Sequence, residues 1–347
     1  GHEVMVITSK DPPDLPSEAT YKNIPIFRLP FQEGLSGRAV EKIIACQRQV
    51  SELKRQFQPE IIHINGVSAS TFFHLQTHNR DAVPVVARMN QEIFRPEGAP
   101  RNTLTHGILM HASWITSVSE AVHNQIGHWV PETRSRSSVI YTGVKKPPLV
   151  PTPLPFDSPV IVCLGRLVRA KGFDLALTAL APICERFPKI RIIIGGDGPL
   201  RRELEQLAKK LGLEKSVEFV GWVEPSRVND FLNSATMVLI PSRHEGLPQV
   251  ACQAAMMGRP IVATGVAGLP EIIEHHQTGL LIEKENVQVL TEAVWYLLQH
   301  PEASTRMGHM ARTKALKQFD WEKCVAAYDH LYKKLVKPFI KSEAQIA

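Results

Sequence analysis

Cysteine is scarce and scattered in this chain. Five occur in 347 residues, at Cys46, Cys163, Cys184, Cys252 and Cys324, none in C-x-x-C spacing. That argues against a zinc site or a disulfide frame and for reduced thiols in the cytosol. No apolar run is long enough to span a bilayer, and no signal-peptide pattern is visible. No Lys/Arg run resembles a nucleic-acid arm; the net charge of +6 is spread over both halves, so no nucleic-acid partner is expected. What is there, 44% apolar and 21% charged residues, is the composition of a globular protein long enough for two full cores.

Short apolar runs alternate with amphipathic helical stretches, the pattern of parallel sheets covered by helices. Strands are predicted at 3–8, 61–65, 83–89, 114–117 and 138–141, then at 159–165, 190–195, 217–220, 237–241, 260–264 and 279–282. Between the two sets lies KKPPLVPTPLPFD (145–157), whose five prolines cannot continue a helix or a central strand. The expected fold is α/β: two doubly wound, Rossmann-like domains with a ligand cleft between them. The expected divisions are 1–146, a linker at 147–158, a second domain at 159–320 and a closing segment at 321–347. The chain opens directly on strand residues, so the first strand and helix of the N-terminal domain are expected to be missing.

The stretch SRHEGLPQVACQAAMMGRPIVAT (242–264) places one carboxylate, Glu245, in a Gly/Pro turn between two apolar strands, with Gln253 eight residues later on a short helix. Strand, turn and helix N-terminus is where α/β proteins hold phosphates and sugars; a solvated loop glutamate is the alternative. CLGRLVRAKGFDLAL (163–177) puts Arg166 and Lys171, after Gly165, at the carboxyl end of a strand, where cations beside a helix N-terminus form a diphosphate site that needs no metal; ordinary surface basic residues are the alternative. Arg169 reads as a surface basic residue. GGDGPLRREL (195–204) lacks the third glycine of a dinucleotide motif and reads as a strand-to-helix turn, with Asp197 as a cap. In FVGWVEPSRVNDFL (219–232) the backbone at Trp222-Val223 can meet a nucleobase edge, while the Trp222 ring is expected to pack in the core.

Together these segments resemble the retaining glycosyltransferases of family 4, which have the GT-B fold. The carriers are Gly-Arg-x4-Lys-Gly at 165–172, GGDGP at 195–199, the 219–223 turn, EGLP at 245–248 and AGLPEII at 267–273. The closing helix from Asp320-Trp321 resembles the family's C-terminal helix, which crosses back to the first domain. The resemblance implies that Arg166 and Lys171 bind a donor diphosphate and stabilise the departing nucleotide. It implies that Glu245, with the backbone of Gly246, Leu247 and Pro248, holds the donor sugar, with Gly165 and Val223 also at the donor. The family's second glutamate is replaced by Gln253, which still meets ribose hydroxyls but carries no charge. A histidine common in the family at the end of strand 83–89 is Asn90 here, which cannot carry a proton. Asn65 likewise ends the strand 61–65, and His63 beside it reads as a packed or capping residue.

No Asp-x-Asp occurs, which disfavours metal-dependent sugar transfer of the GT-A kind. The implied activity is transfer of a hexose from a UDP- or GDP-sugar to an acceptor hydroxyl with retention, without metal or other cofactor, by a cytoplasmic protein. The acceptor, a sugar or a lipid-linked sugar, is not legible. A helix at 37–57 with Arg38, Lys42, Arg48, Lys54 and Arg55 can face an anionic membrane, or be an ordinary solvated face. Polysaccharide assembly follows by family analogy only. The replaced residues Asn65, Asn90 and Gln253 leave open a catalytically weakened subunit that binds nucleotide sugar or a partner chain. An NAD-type dehydrogenase is disfavoured by the absent G-x-G-x-x-G.

Overall fold

The computed structural model describes residues 1–37, 40–77, 83–93 and 103–343. These group into two compact units: Gly1–Ser117 with His123–Ser138 and Asp329–Ala347, and Val118–Val122 with Val139–Tyr328.

The first unit carries a parallel sheet of β4 (Ile62–Asn65), β5 (Val85–Met89) and β6 (Trp114–Ser117), with β7 (Ser137–Val139) at its edge. Ile62 pairs with Val85 and Val86 with Trp114, so the carboxyl ends of these strands lie together. A second sheet of β1 (Val6–Ser9), β2 (Glu18–Tyr21) and β3 (Ile24–Leu29) was not expected. Only β1 pairs with β3 in parallel; β2 and β3 form an antiparallel hairpin. Its two-residue turn, Lys22-Asn23, has positive φ at both positions, 49° and 66°. That is the primed turn that right-twisted hairpins favour, and asparagine tolerates it. Below the hairpin, Phe31 and Phe73 stack at 4.6 Å in a core with Leu29, Cys46 and Val50.

The helix predicted at 37–57 is seen as Val40–Phe57; Arg38 lies outside the described residues. Its basic residues do not all face outward. Lys42 pairs with Glu33 and Arg55 with Glu52. Lys54 turns inward to Thr77 Oγ1, 3.0 Å away, and burial pulls its ammonium down to about 8. No helix among the described residues is long and apolar enough to cross a membrane.

The second unit is a six-stranded, all-parallel sheet: β8 (Val160–Leu164), β9 (Arg191–Gly195), β10 (Val217–Gly221), β11 (Met237–Ile240), β12 (Ile261–Thr264) and β13 (Gly279–Ile282). Strands buried on both faces read as continuous apolar runs, which is why these were visible in sequence to within a residue or two. Their spatial order is β10-β9-β8-β11-β12-β13. The chain winds outward from β8 in one direction, then returns to β11 and winds out in the other. The switch point therefore falls between β8 and β11, where a doubly wound sheet opens a crevice at its carboxyl edge.

The Pro-rich stretch forms neither helix nor strand. Buried Arg259 secures it, donating from Nη1 to the Ala235 carbonyl and from Nη2 to the Thr152 carbonyl. All five cysteines are free. Burial pushes the Cys163 thiol up to about 12 and raises Cys252 as well, so both are inert packing groups.

Candidate functional site

The loops that leave β8 and β11 meet beside the switch point. After β8 the chain passes Gly165 and buried Leu167, then closes a 3-10 turn at Arg169–Lys171. Two glycines allow the approach. Gly196 has φ +133°, and a Cβ there would fall 1.9 Å from the Gly165 carbonyl oxygen. Gly172 has φ +66°, and a Cβ would fall 2.0 Å from the Pro241 carbonyl oxygen at the end of β11. A side chain at Gly196 would push the loop after β9 away from the loop after β8, and one at Gly172 would push the β8 loop away from the end of β11. Gly172 is thus the spacer that lets the Lys171 turn lie against the end of β11, from which the chain runs on to Glu245.

One side chain ties the two loops together. Arg243, 7% exposed, donates from Nη1 and Nη2 to both carboxylate oxygens of Asp174, each at 2.7 Å. It reaches the Arg169 carbonyl at 2.9 Å and Glu285 at 2.5 and 3.1 Å, while its backbone N–H donates to Ala170. A bidentate guanidinium–carboxylate pair is geometrically specific. Hydrogen bonding to Asp174 raises the Arg243 pKa further. Burial pushes the Asp174 carboxyl up, but its bonds to Arg243 outweigh that and the net shift is downward. Sequence reading passed over Arg243 and Asp174. The available signals were an arginine just after the apolar strand and two positions before Glu245, and an acid in the first turn of the helix Phe173–Arg186.

The result is a direct contact: Lys171 Nζ donates to Glu245 Oε1 at 2.6 Å. The carboxylate is 7% exposed, and Ser242 Oγ donates to the same oxygen at 2.8 Å. Thr264, at the end of β12, donates in turn to the Ser242 carbonyl. Lys171 and Glu245, predicted from separate motifs, are therefore partners, one oxygen of the carboxylate carrying both protein bonds. Arg166 projects from the same loop as Lys171, is exposed, and makes no ion pair among the described residues.

Gly246 and Leu247 are buried, and Gly268 of the AGLPEII segment donates its N–H to the Gly246 carbonyl at 2.9 Å. Pro248 leads into the helix Gln249–Met256, which carries half-buried Gln253. Val223 packs at Gly195, where a Cβ would lie 2.8 Å from its Cγ2. Two expectations are corrected. Trp222 is 66% exposed, not packed in the core; its indole N–H bonds Glu224, so the ring lies on the surface after β10. Asp197 is not a helix cap: its carboxylate accepts from Gly198 within its own turn, and the helix Arg201–Lys210 begins from Leu200 with no side-chain cap.

In the first unit, Asn90 Nδ2 donates to Asn65 Oδ1 at 2.9 Å, and both are exposed at the carboxyl edge of the β4–β5 pair. His63 is packed as predicted, its Nδ1 2.5 Å from Tyr332 Oη. A groove of about 640 Å³ lies elsewhere on this unit, lined by Ile44, Arg48, Arg55 and Thr77 among others, and contains no motif residue.

Residues 1–147 match the family described as Glycosyltransferase Family 4, and residues 150–314 match the one described as Glycosyl transferases group 1. A glycosyltransferase of Methanocaldococcus jannaschii is 31% identical over 221 residues, 64% of this chain and 59% of that protein. Sucrose-phosphate synthase from Thermosynechococcus elongatus is 21% identical and similar in fold, with a TM-score of 0.84 over 97% of this chain and 90% of its own. HepE from Anabaena, solved with UDP and glucose, is 20% identical, with a TM-score of 0.74 over 90% of this chain and 87% of its own. Fold and motifs together define a GT-B glycosyltransferase scaffold. The chain belongs to glycosyltransferase family 4. It spans 59% of the length of the archaeal relative.

Proposed function

We propose that this chain transfers a hexose from a nucleoside-diphosphate sugar to an acceptor hydroxyl, with retention at the anomeric carbon and without a metal ion. The observation that carries the reading is the Lys171–Glu245 contact of 2.6 Å at the switch point of the second unit. Lys171 and Arg166 take the diphosphate; Lys171 exchanges one Glu245 oxygen for a phosphate oxygen of similar charge. The second Glu245 oxygen accepts hydroxyls of the donor sugar, with Gly246, Leu247 and Pro248 supplying backbone. Gln253 meets the ribose, and Gly165 and the Val223 backbone line the nucleotide.

As the bond between the anomeric carbon and the β-phosphate oxygen breaks, its electron pair departs on the nucleotide; the acceptor oxygen bonds the anomeric carbon on the same face, and its proton passes to the departing phosphate oxygen. The fixed cations stabilise that charge, and removing one such contact typically costs about 2–4 kcal/mol of transition-state stabilisation. The cationic loop carrying Arg166 and Lys171 supplies the positive charge that a metal ion would otherwise bring to the diphosphate. The Anabaena neighbour was solved with UDP and glucose, which makes UDP-glucose the first donor to try.

A second reading follows from Asn65 and Asn90, which satisfy one another at 2.9 Å and offer no titratable group: a GT-B protein that binds nucleotide sugar, or a partner subunit, with little turnover. Calorimetry with UDP-glucose, GDP-mannose and NAD, followed by donor hydrolysis in the presence of a chelator, separates the cases. Binding plus hydrolysis supports the transferase, binding alone supports the second reading, and binding of NAD only rejects both.

A further inference from the structure

We infer that Arg243 is a positioning residue for the sugar-transfer site, a single guanidinium that fixes the spacing between Lys171 and Glu245 without touching substrate. The inference rests on the donor-site reading above and adds to it a residue outside its motifs.

The geometry is specific. Arg243 stands two residues before Glu245, and its backbone N–H bonds the carbonyl of Ala170, the residue before Lys171. Its side chain then grips the same turn twice more, at the Arg169 carbonyl and at Asp174. The two functional side chains are thereby hung from one brace, each within two residues of an anchoring bond. A third arm, to Glu285 at 2.5 Å, ties in the turn after β13, where Glu285 itself has φ +63°. No lysine can replace this brace, because an ammonium lacks the planar fork that serves Asp174 and Glu285 at once.

A loop pair held this way lets Lys171 trade its Glu245 partner for phosphate while the backbone stays put. Preorganisation of that kind acts on the rate of the chemical step more than on ground-state binding. Asp174 and Glu285 together outweigh the single positive charge of Arg243, so it does not compete with Lys171 and Arg166 for the diphosphate. A staple serving stability alone would show in melting temperature and would leave the kinetics of the folded fraction unchanged.

The test uses the whole chain with UDP-glucose and GDP-mannose as probes. Donor hydrolysis and nucleotide-sugar binding are measured for wild type, Arg243→Lys and Glu285→Gln, alongside thermal melts. For Arg243→Lys, kcat is expected to fall by about 30-fold or more, with KM changed less than about 3-fold. For Glu285→Gln, which takes the charge and one of the two acceptor oxygens from the half-exposed arm, kcat is expected to fall by about 3-fold with the melting temperature nearly unchanged. Should Arg243→Lys fail to fold, Glu285→Gln decides alone. A folded Arg243→Lys with wild-type kcat, or a Glu285→Gln indistinguishable from wild type when the lysine variant is lost, overturns the positioning role and leaves the donor site standing. A wild-type chain that binds neither probe overturns the donor site, and the positioning role with it.

Discussion

Asn90 donates to Asn65 across the ends of two adjacent parallel strands, amide nitrogen to amide oxygen at 2.9 Å. The two positions where the family resemblance implies histidines are thus a matched pair. Neither can carry a proton, but together they present an ordered carbonyl and amide edge. In an exposed pair such a bond contributes about 0.5–1 kcal/mol at most. Asn90→Ala is expected to leave the urea midpoint almost unmoved and to lower donor turnover by roughly 10-fold, less than the roughly 100-fold or more that loss of a preorganised oxyanion contact costs. Equal turnover in wild type and variant would show that Asn90 takes no part in the reaction.

Lys171→Ala removes the cation from a carboxylate that is only 7% exposed. Two effects separate. Turnover is expected to drop by about 100-fold or more through lost stabilisation of the leaving group. Stability is expected to fall by about 1–3 kcal/mol, because Glu245 keeps Ser242 but loses its charged partner. Circular dichroism and melting distinguish a folded, inactive protein from an unfolded one; kcat near the wild-type value rules out Lys171 as a donor-binding cation.

The residue types that carry this site were legible because each had to be of one kind. Gly172 and Gly196 can be nothing else where a Cβ would strike a carbonyl oxygen at about 2 Å, and Lys171 and Glu245 are the charged groups at the loop tips. The buried strands were legible for the same reason, since apolar runs on both faces admit little else. What escaped was relational. The Arg243–Asp174 bond joins residues 69 apart in sequence, and no local pattern states that two such groups will face each other. Trp222 escaped because an aromatic ring after a strand is usually buried, whereas this one follows the edge strand β10 and meets solvent. The β2–β3 hairpin escaped because Lys-Asn is a less familiar turn pair than Asn-Gly, although the asparagine at positive φ serves the same purpose.

Gln253→Glu restores the family's Glu-x7-Glu spacing on the helix Gln249–Met256. A carboxylate accepts from two hydroxyls through two charged oxygens, where the amide accepts through one. Calorimetry with UDP-glucose and GDP-mannose is expected to show binding to one of them tightened by about 3- to 10-fold, equivalent to about 0.7–1.4 kcal/mol. Weaker binding to both would place Gln253 away from the ribose.

His63 makes stability depend on pH in one direction. Burial, and then the nearby Arg88 charge, pull its imidazole down from 6.5 to about 4. The native state therefore holds it neutral beside Tyr332, while the unfolded chain takes up a proton once the pH drops below about 6.5. Between pH 6.5 and 4 the unfolded state binds more protons, so its free energy falls relative to the native state. The stabilisation present above pH 6.5 is lost on acidification, by roughly 1–2 kcal/mol across this window after allowance for partial solvent screening. Urea melts of wild type at pH 7.0 and 5.0 should show this loss, and His63→Phe should flatten it while losing the bond to Tyr332 at both pH values. Parallel slopes in the two proteins would mean that other groups govern the acid limb, and that His63 titrates as it does in the unfolded chain.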